Sequence, residues 1–356
     1  MLARYYELED GRLRCTLCPR SCLLSPGQAG FCYVRKNVAG EMVSLAYGRT
    51  TGFAIDPIEK KPLFHFYPGT QVLSFGTAGC NLGCRFCQNW QISKARLGTR
   101  RAQEFSPREV VDLALETNCP AIAFTYNDPV IWAEYAIDVA KEARKRGVRT
   151  VFVTAGYVSE RAREDIFAHM DAANVDLKSF TEDFYRKVTL GHLAPVLETL
   201  AWLARTKVWT EVTNLVIPGL NDDPAETRAL AGWIAENMGP EVPLHLTAFH
   251  PDFRLQGPPP TSPATLVRAR AIAQEVGLRH VYTGNVRDPA GQTTCCAECG
   301  VPLVWREGLS LLGSAVDGGA CRRCGTRLAG RFAKPQGAEF AIPQSILPCA
   351  VSSIRH

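Results

Sequence analysis

The sequence predicts an α/β fold: a partial (β/α)6 barrel of the TIM type, with a small cysteine-rich segment before it and a small cysteine-rich domain after it. Three observations lead to this prediction. Apolar runs typical of strands alternate with helical stretches across the middle of the chain, which favours a parallel sheet with right-handed crossovers. Polar and glycine-rich residues follow the apolar runs, where parallel barrels carry their active groups. Twelve of the fourteen cysteines fall into three clusters.

Four regions follow from these patterns. Residues 1–69 form a cysteine-rich segment of short strands and turns that holds a metal or an iron–sulfur group, and residues 70–290 form the core. Residues 291–330 form a small domain of the zinc-ribbon or rubredoxin type. Residues 331–356 form a tail without a clear pattern.

The core is expected to contain seven strands and six helices. The strands are residues 71–76, 121–126, 149–154, 172–177, 208–217, 244–249 and, more weakly, 279–284. The helices are residues 107–117, 129–146, 159–170, 193–206, 224–237 and 263–276. Ser106 and Pro107 are typical of a helix start, because proline is favoured at the first helical position. Gly147 is typical of a helix end.

The overall composition is that of a globular protein. The chain has 356 residues, of which 46% are hydrophobic and 21% are charged, and its net charge of +5 does not by itself indicate nucleic acid. No apolar run reaches about 18 residues, and the first residues lack the apolar core of a signal peptide. We therefore expect a cytoplasmic protein without a membrane segment, in which clustered cysteines bind metal rather than form disulfides.

The central cluster lies in GTAGCNLGCRFCQNW, residues 76–90. Cys80, Cys84 and Cys87 come together there without a fourth cysteine or a histidine nearby. Structural zinc sites normally have four protein ligands, so a zinc site here would require a fourth ligand from a distant part of the chain. Three thiolates on a tight loop suit an iron–sulfur cluster with one iron left free to bind a second molecule.

CNLGCRFC, including Phe86 before the last cysteine, resembles the signature of radical S-adenosylmethionine (SAM) enzymes. More widely, RCTLCPRSC, DPIEKKPLFHFYPGT, ANVDLKSFTEDFYRK, EVTNLVIPGLND and YTGNV are similar to the radical SAM enzymes of the AmmeMemoRadiSam system, relatives of pyruvate formate-lyase activating enzyme. The resemblance covers nearly all of residues 1–330. It implies a catalytic 4Fe–4S cluster on Cys80, Cys84 and Cys87, with SAM bound to the open iron and cleaved to a 5′-deoxyadenosyl radical.

The same resemblance implies further contacts with the cofactor. The expected residues are Phe86, Thr125, Asn127, Asp128, Thr154, Asp176, Lys178, Asn214 and His250. Two places depart from the family pattern: TYNDP stands where many members have Gly-Gly-Glu, and Ala155 stands where the activating enzymes have asparagine. An ordinary turn at Asn127–Asp128 and a simple ion pair between Asp176 and Lys178 are the alternative interpretations.

The two outer clusters each offer four thiolates. Cys15, Cys18, Cys22 and Cys32 suit either a closed zinc site or an auxiliary iron–sulfur cluster, and we slightly favour the cluster. Cys296, Cys299, Cys321 and Cys324 form paired knuckles of the zinc-ribbon type, where zinc is favoured over a single iron, with Cys295 as an extra neighbour.

Three residues are expected to be ordinary packed side chains. Cys119 and Cys349 stand apart from the clusters, and free cysteine usually packs as a small apolar residue. His65 lies among aromatic residues, where a packed histidine is favoured over one at the edge of the active site.

The favoured function is a radical SAM oxidoreductase of the activating-enzyme type that abstracts hydrogen from a protein or a small molecule. Its implied partners are Memo-like and Amme-type proteins and an electron donor such as flavodoxin or ferredoxin; nucleic acid and membrane are not expected. The alternative is a catalytically inactive metal-binding scaffold that binds nucleic acid or a protein partner. A pure electron carrier is the third possibility, and it predicts fully ligated clusters without SAM binding.

Overall fold

The computed structural model describes residues 1–96 and 103–332. The strands are β1 Tyr6–Glu9, β2 Arg12–Cys15, β3 Leu23–Leu24, β4 Arg35–Val38, β5 Glu41–Ser44, β6 Arg49–Thr50, β7 Phe53–Pro57, β8 Gln71–Phe75, β9 Gln103–Glu104, β10 Ala121–Phe124, β11 Arg149–Thr154, β12 Ala172–Asp176, β13 Trp209–Val216, β14 Leu244–Ala248, β15 Val281–Gly284, β16 Thr294–Cys295, β17 Pro302–Glu307, β18 Ser310–Ser314, β19 Val316–Asp317 and β20 Ala320–Cys321. The helices are α1 Trp90–Ser93, α2 Pro107–Glu116, α3 Ala133–Lys145, α4 Glu160–Phe167, α5 Glu182–Phe184, α6 Ala194–Leu203, α7 Pro224–Asn237, α8 Pro263–Glu275 and α9 Pro289–Gln292.

A single sheet of eight strands organises the core. Its order is β15-β14-β13-β12-β11-β10-β8-β7. Seven of its strands, β8 and β10 to β15, are parallel and follow chain order. Strand β7 is antiparallel to β8. All seven predicted strands are therefore confirmed. Within the described residues the two edge strands do not pair with each other, so the sheet is open.

The predicted helices are present; α7 has the predicted bounds, and the others are shorter by one or more residues. The largest difference is at residues 129–146, where a 3-10 helix, Pro129–Trp132, precedes α3. The Asp128 side chain accepts a hydrogen bond from the Val130 N–H and caps this short turn. At α2, Ser106 and Glu109 form a reciprocal capping box, which stabilises the start of the helix.

The cysteine-rich N-terminal segment shares the core of the parallel sheet. Strand β7 belongs to that sheet, so the expected boundary after residue 69 separates two strands that pair directly. Buried Leu13, Val34 and Met42 pack in the main hydrophobic core. A buried ion pair between Arg35 and Glu134, 2.8 Å apart, also joins the segment to α3.

A polar network fills the sheet near the amino ends of its strands. Glu211 on β13 accepts hydrogen bonds from the backbone N–H groups of Phe64 and His65, at 2.9 and 2.8 Å, and lies 2.6 Å from His245 Nε2. His65 is fully buried, which confirms it as a packed histidine, and its burial holds its pKa well below the ordinary value. Since this end is filled, an active site belongs at the opposite, carboxyl ends of the strands.

A small domain follows the core. Strands β16, β17 and β18 form an antiparallel sheet, and β19 pairs with β20. Arg306 of β17 donates a hydrogen bond of 2.7 Å to the Phe64 carbonyl, so this domain is tied to the network at the amino ends of the strands. Of the predicted tail, residues 333–356 lie outside the described residues, and Cys349 is among them. In the described ranges no helix is long and apolar enough to cross a membrane.

Candidate metal centre at the carboxyl end of the sheet

The three central cysteines lie on the loop that follows β8. Glycines allow this loop to pass close to other backbone segments. Gly79 has a φ of +90°, and a Cβ at this position would lie 2.1 Å from the Cys32 carbonyl oxygen. The Gly83 N–H donates a hydrogen bond of 2.7 Å to the Thr189 carbonyl. The loop is thus held between the N-terminal segment and the short π-helix Tyr185–Thr189 that follows α5.

The three thiols differ in their surroundings. Cys84 is buried, and burial raises its pKa to about 12 although Lys178 and Lys94 nearby oppose the shift. Cys80 is also desolvated, and its pKa is raised by burial and by the neighbouring Asp128. The Cys87 sulfur lies 3.1 Å from the Ser93 hydroxyl.

The spacing of the three sulfurs suits separate metal ions. Among the described residues, the cysteine group whose sulfurs all lie within 4.8 Å of one another is the C-terminal one, and Cys80, Cys84 and Cys87 do not form such a group. A single zinc ion requires close sulfurs, because each Zn–S bond is only about 2.3 Å long. Thiolates that each bind a different iron stand further apart, so this loop fits a polynuclear cluster.

Asn127 holds the cysteine loop through hydrogen bonds of its side chain. Its side-chain oxygen accepts hydrogen bonds from the Thr77 N–H at 3.1 Å and from the Trp132 indole at 3.3 Å. Its amide nitrogen donates to the Thr77 hydroxyl at 3.1 Å and to the Gly79 carbonyl at 2.8 Å. The amide is therefore committed to the loop, and a direct contact of Asn127 with SAM stays a prediction.

Asp128 and Thr154 form a buried pair at the ends of β10 and β11. The Thr154 hydroxyl donates a hydrogen bond of 2.8 Å to the Asp128 carboxylate, which also accepts one of 3.3 Å from the Ala155 N–H. Burial raises the pKa of Asp128 to about 6, although these hydrogen bonds oppose the shift. Thr125 is buried beside this pair.

Asp176 and Lys178 lie at the end of β12, as predicted. The Lys178 ammonium is 2.5 Å from the Asp176 carboxylate and 6.0 Å from the centre of the Phe86 ring. Burial alone would lower the pKa of Lys178, but Asp176 and the Cys84 sulfur raise it above its ordinary value. A lysine ammonium paired with a carboxylate therefore lies beside the cysteine loop.

The last two predicted cofactor residues are placed differently. Asn214 on β13 is buried, and its amide donates a hydrogen bond of 2.7 Å to the Leu177 carbonyl, just after β12. His250 follows β14 with an exposed side chain, whose Nδ1 lies 3.4 Å from the Pro251 carbonyl. Both lie at the carboxyl end of the sheet, but only His250 is accessible to solvent.

Several neighbours of the loop were not anticipated from the sequence. Lys94 donates a hydrogen bond of 2.7 Å to the Leu82 carbonyl and lies close enough to influence Cys80 and Cys84. Trp90 stacks on Phe253, with ring centres 5.6 Å apart, at the outer edge of the loop. The only signal for Lys94 and Trp90 is their position just after Cys87, whereas nothing local marks Phe253.

The C-terminal cysteines form a compact group. The sulfurs of Cys296, Cys299, Cys321 and Cys324 all lie within 4.8 Å of one another. The distance is 3.5 Å from Cys296 to Cys324 and 3.7 Å from Cys299 to Cys321. Cys295 is not part of the group. Four close sulfurs at the ends of paired turns can hold one tetrahedral metal ion.

The N-terminal cysteines share one small cavity. Cys15, Cys18, Cys22 and Cys32 all line it, together with Asn81 of the central loop. The predicted grouping of these four residues is therefore present in the fold. Cys119, in contrast, is buried apart from all three groups, which confirms it as a packed apolar side chain.

Comparison with known proteins agrees with this arrangement of cysteines on a parallel sheet. Residues 75–231 match the Radical SAM superfamily, and this range contains the three central cysteines and the strands β10 to β13. Residues 75–231 thus form a Radical SAM domain. The chain belongs to the family of uncharacterized protein MJ0808 of Methanocaldococcus jannaschii, with which it shares 40% identity over 329 residues, 92% of this chain and 98% of that protein.

More distant relatives are activating enzymes. The chain is 24% identical over 198 residues to the pyruvate formate-lyase-activating enzyme of Clostridium pasteurianum, covering 51% of this chain and 76% of that enzyme. It is 28% identical over 131 residues to the isethionate sulfite-lyase activating enzyme of Oleidesulfovibrio alaskensis, covering 36% and 41%. A solved domain of pyruvate-formate lyase-activating enzyme from Bacteroides vulgatus aligns with 46% of this chain and 98% of that chain, at 17% identity and a TM-score of 0.41, which is too low to support an argument.

Proposed function

We propose that the protein is a radical SAM enzyme that cleaves SAM reductively at a 4Fe–4S cluster held by Cys80, Cys84 and Cys87. The proposal rests on the placement of these three cysteines, which lie on one loop at the carboxyl end of β8 and whose sulfurs do not all lie within 4.8 Å of one another. When bound, the cluster supplies the electron that splits SAM into methionine and a 5′-deoxyadenosyl radical, which abstracts hydrogen from the substrate.

The protein's own residues are proposed to hold SAM next to the loop. The Lys178 ammonium is fixed by Asp176 and can attract the carboxylate of the methionine part of SAM. Phe86 lies next to it and can pack against the cofactor. Asn214 and His250 are proposed to border the same space from β13 and β14.

Asp128 and Thr154 are proposed to face the amino group of SAM. The Asp128 carboxylate is held by the Thr154 hydroxyl and by backbone N–H groups, so its position is fixed before the cofactor arrives. A cationic amino group beside Asp128 would favour the ionised carboxylate and would offset the cost of its burial. Asn127 is proposed to hold the cysteine loop through its hydrogen bond to Gly79, and the buried Thr125 is proposed to line the same site.

The substrate is proposed to be a protein glycine or a small molecule. Similarity to enzymes named as activating enzymes supports the first class. The resemblance to the AmmeMemoRadiSam system is the basis for proposing the second class, handled together with Memo-like and Amme-type partners. We propose a reduced flavodoxin or ferredoxin as the electron donor in either case.

A direct test uses the full-length protein reconstituted without oxygen. After reduction with dithionite and addition of SAM, we expect 5′-deoxyadenosine to form and the electron paramagnetic resonance spectrum to change when SAM binds. Cys84→Ala should abolish both effects. Cys119→Ala is the matched control, since Cys119 is a buried cysteine outside the cysteine groups, and it should retain them. Failure of the wild-type protein to form 5′-deoxyadenosine, together with a spectrum unchanged by SAM, would refute the proposal.

We also propose that the C-terminal group binds zinc. Its sulfur distances of 3.5 and 3.7 Å agree with a tetrahedral ion whose Zn–S bonds are about 2.3 Å long. Metal analysis should find about one zinc per chain that is lost in Cys299→Ser. Iron in place of zinc, with a rubredoxin-like absorption spectrum, would overturn the choice of metal.

A further inference from the structure

We propose that Cys15, Cys18, Cys22 and Cys32 bind a second iron–sulfur cluster, fully ligated by the protein and directly adjacent to the Cys80 loop. This site lies outside the region that matches the radical SAM superfamily, and it does not depend on the proposed reaction. Four observations carry the inference: a shared cavity, the spacing of the sulfurs, the donors around them and the contact with the central loop.

The cavity brings together cysteines from distant turns. Cys15 ends β2, Cys18 and Cys22 lie in the following turn, and Cys32 comes ten residues later. All four line one cavity, whose other walls include Leu17 and Ile131. Cys15 and Cys32 are buried, so the enclosed space is shielded from solvent. Four free thiols around one space are typical of metal coordination.

The distances between the sulfurs favour a cluster over a single zinc ion. In the described residues, the C-terminal four sulfurs are drawn together within 4.8 Å, whereas no three of the N-terminal sulfurs are. The same chain thus holds two four-cysteine sites with different spacings. A central zinc ion requires the close spacing. Thiolates that each bind a separate iron of a cluster leave room between them for the inorganic core.

Hydrogen-bond donors surround the N-terminal sulfurs. The backbone N–H groups of Val34 and Arg35 lie near the Cys32 sulfur, and the Arg20 N–H lies near the Cys18 sulfur. The buried Arg35 side chain also lines the cavity, and its Nε–H has no acceptor in residues 1–96 and 103–332. A cluster with four thiolates is negatively charged, and donors to its sulfurs stabilise it.

The cavity also touches the loop that carries the central cysteines. Asn81, next to Cys80, lines it, and the Arg20 guanidinium donates hydrogen bonds to the Asn81 carbonyl and to the Leu190 carbonyl. On the other side, Gly79 packs against the Cys32 carbonyl. Both residues that flank Cys80 in the sequence therefore contact the N-terminal site.

The test is sulfide and metal stoichiometry in a variant that cannot load the central site. Full-length protein carrying Cys80→Ala, Cys84→Ala and Cys87→Ala is reconstituted anaerobically with ferrous iron and sulfide. We expect about four acid-labile sulfides per chain, and a 4Fe–4S signature in its Mössbauer spectrum. Adding Cys18→Ser and Cys22→Ser should remove both, whereas adding Cys119→Ala should change neither. The C-terminal site holds no sulfide and does not interfere.

The wild-type protein gives the second measurement. It keeps the test valid if the variant with five cysteines replaced does not fold. With both clusters the wild type should carry about eight sulfides per chain. About four in the wild type and none in the triple variant would overturn this inference and leave the central site intact. About four in both would support the N-terminal cluster and refute the proposed central one. A triple variant with no sulfide and a second zinc ion would establish the closed zinc site instead.

Discussion

Replacing Gly79 by alanine tests the close contact between the N-terminal cysteines and the Cys80 loop. Two separate costs are expected. Gly79 has a φ of +90°, which costs an alanine about 1–2 kcal/mol. In addition, the new Cβ would lie 2.1 Å from the Cys32 carbonyl oxygen, so two backbone segments would have to move apart by about 1 Å, at a further cost of about 1–3 kcal/mol.

Gly147→Ala is the matched control. Gly147 has a similar φ of +71°, but nothing lies within 4 Å of a Cβ placed there. It should therefore lose only the conformational part, about 1–2 kcal/mol of unfolding free energy. Gly79→Ala should lose about 2–5 kcal/mol in urea titrations of the cluster-free protein.

The two variants should also differ in cluster loading. Because the movement in Gly79→Ala displaces the turns that carry both Cys32 and Cys80, we expect less sulfide per chain after reconstitution and slower formation of 5′-deoxyadenosine. Gly147→Ala should load like the wild type. Equal destabilisation of the two variants, with full loading of Gly79→Ala, would refute the close contact.

Three further predictions concern buried ionisable side chains. Glu134→Gln leaves the buried Arg35 guanidinium without its carboxylate, so the unfolding free energy in urea should fall by about 3 kcal/mol; a loss under about 1 kcal/mol would show that the pair is not truly desolvated. Lys178→Met should weaken SAM binding to the reconstituted protein about tenfold in equilibrium binding measurements, and unchanged affinity would exclude Lys178 as a SAM contact. Burial, with His280 and Arg306 nearby, holds the pKa of His65 well below its ordinary value, so below about pH 6.5 the unfolded chain binds a proton that the folded chain does not. The unfolding free energy should therefore fall by up to about 1.4 kcal/mol per pH unit below that value, and His65→Gln should lack this part of the pH dependence. The same pH dependence of stability in both proteins would show that His65 is not its source.

Local patterns were sufficient to predict the core of the fold. The seven parallel strands appear as apolar runs, because strands buried on both faces read as nearly continuous hydrophobic segments. Their order followed from the rule that alternating strands and helices form parallel neighbours. The 3-10 turn before α3 was missed, because a proline after an aspartate is an equally good start for an ordinary helix.

The sequence by itself also determined the three cysteine groups, because metal ligands within each group are close along the chain or come in paired short motifs. It favoured zinc for the C-terminal group but a cluster only slightly for the N-terminal group, since four thiolates suit either zinc or a cluster. That distinction depends on distances between sulfurs, which the packing of whole segments sets.

The surroundings of the central loop were decided only by the tertiary structure. Asn127 is committed to Thr77 and Gly79, about fifty residues earlier, and Arg20 reaches Asn81 and Leu190. No local periodicity encodes such pairs, because each depends on which strand ends lie side by side after the sheet has formed. The cysteines proposed to bind metal could therefore be predicted from their spacing, whereas the residues that position them became visible only once the chain was folded.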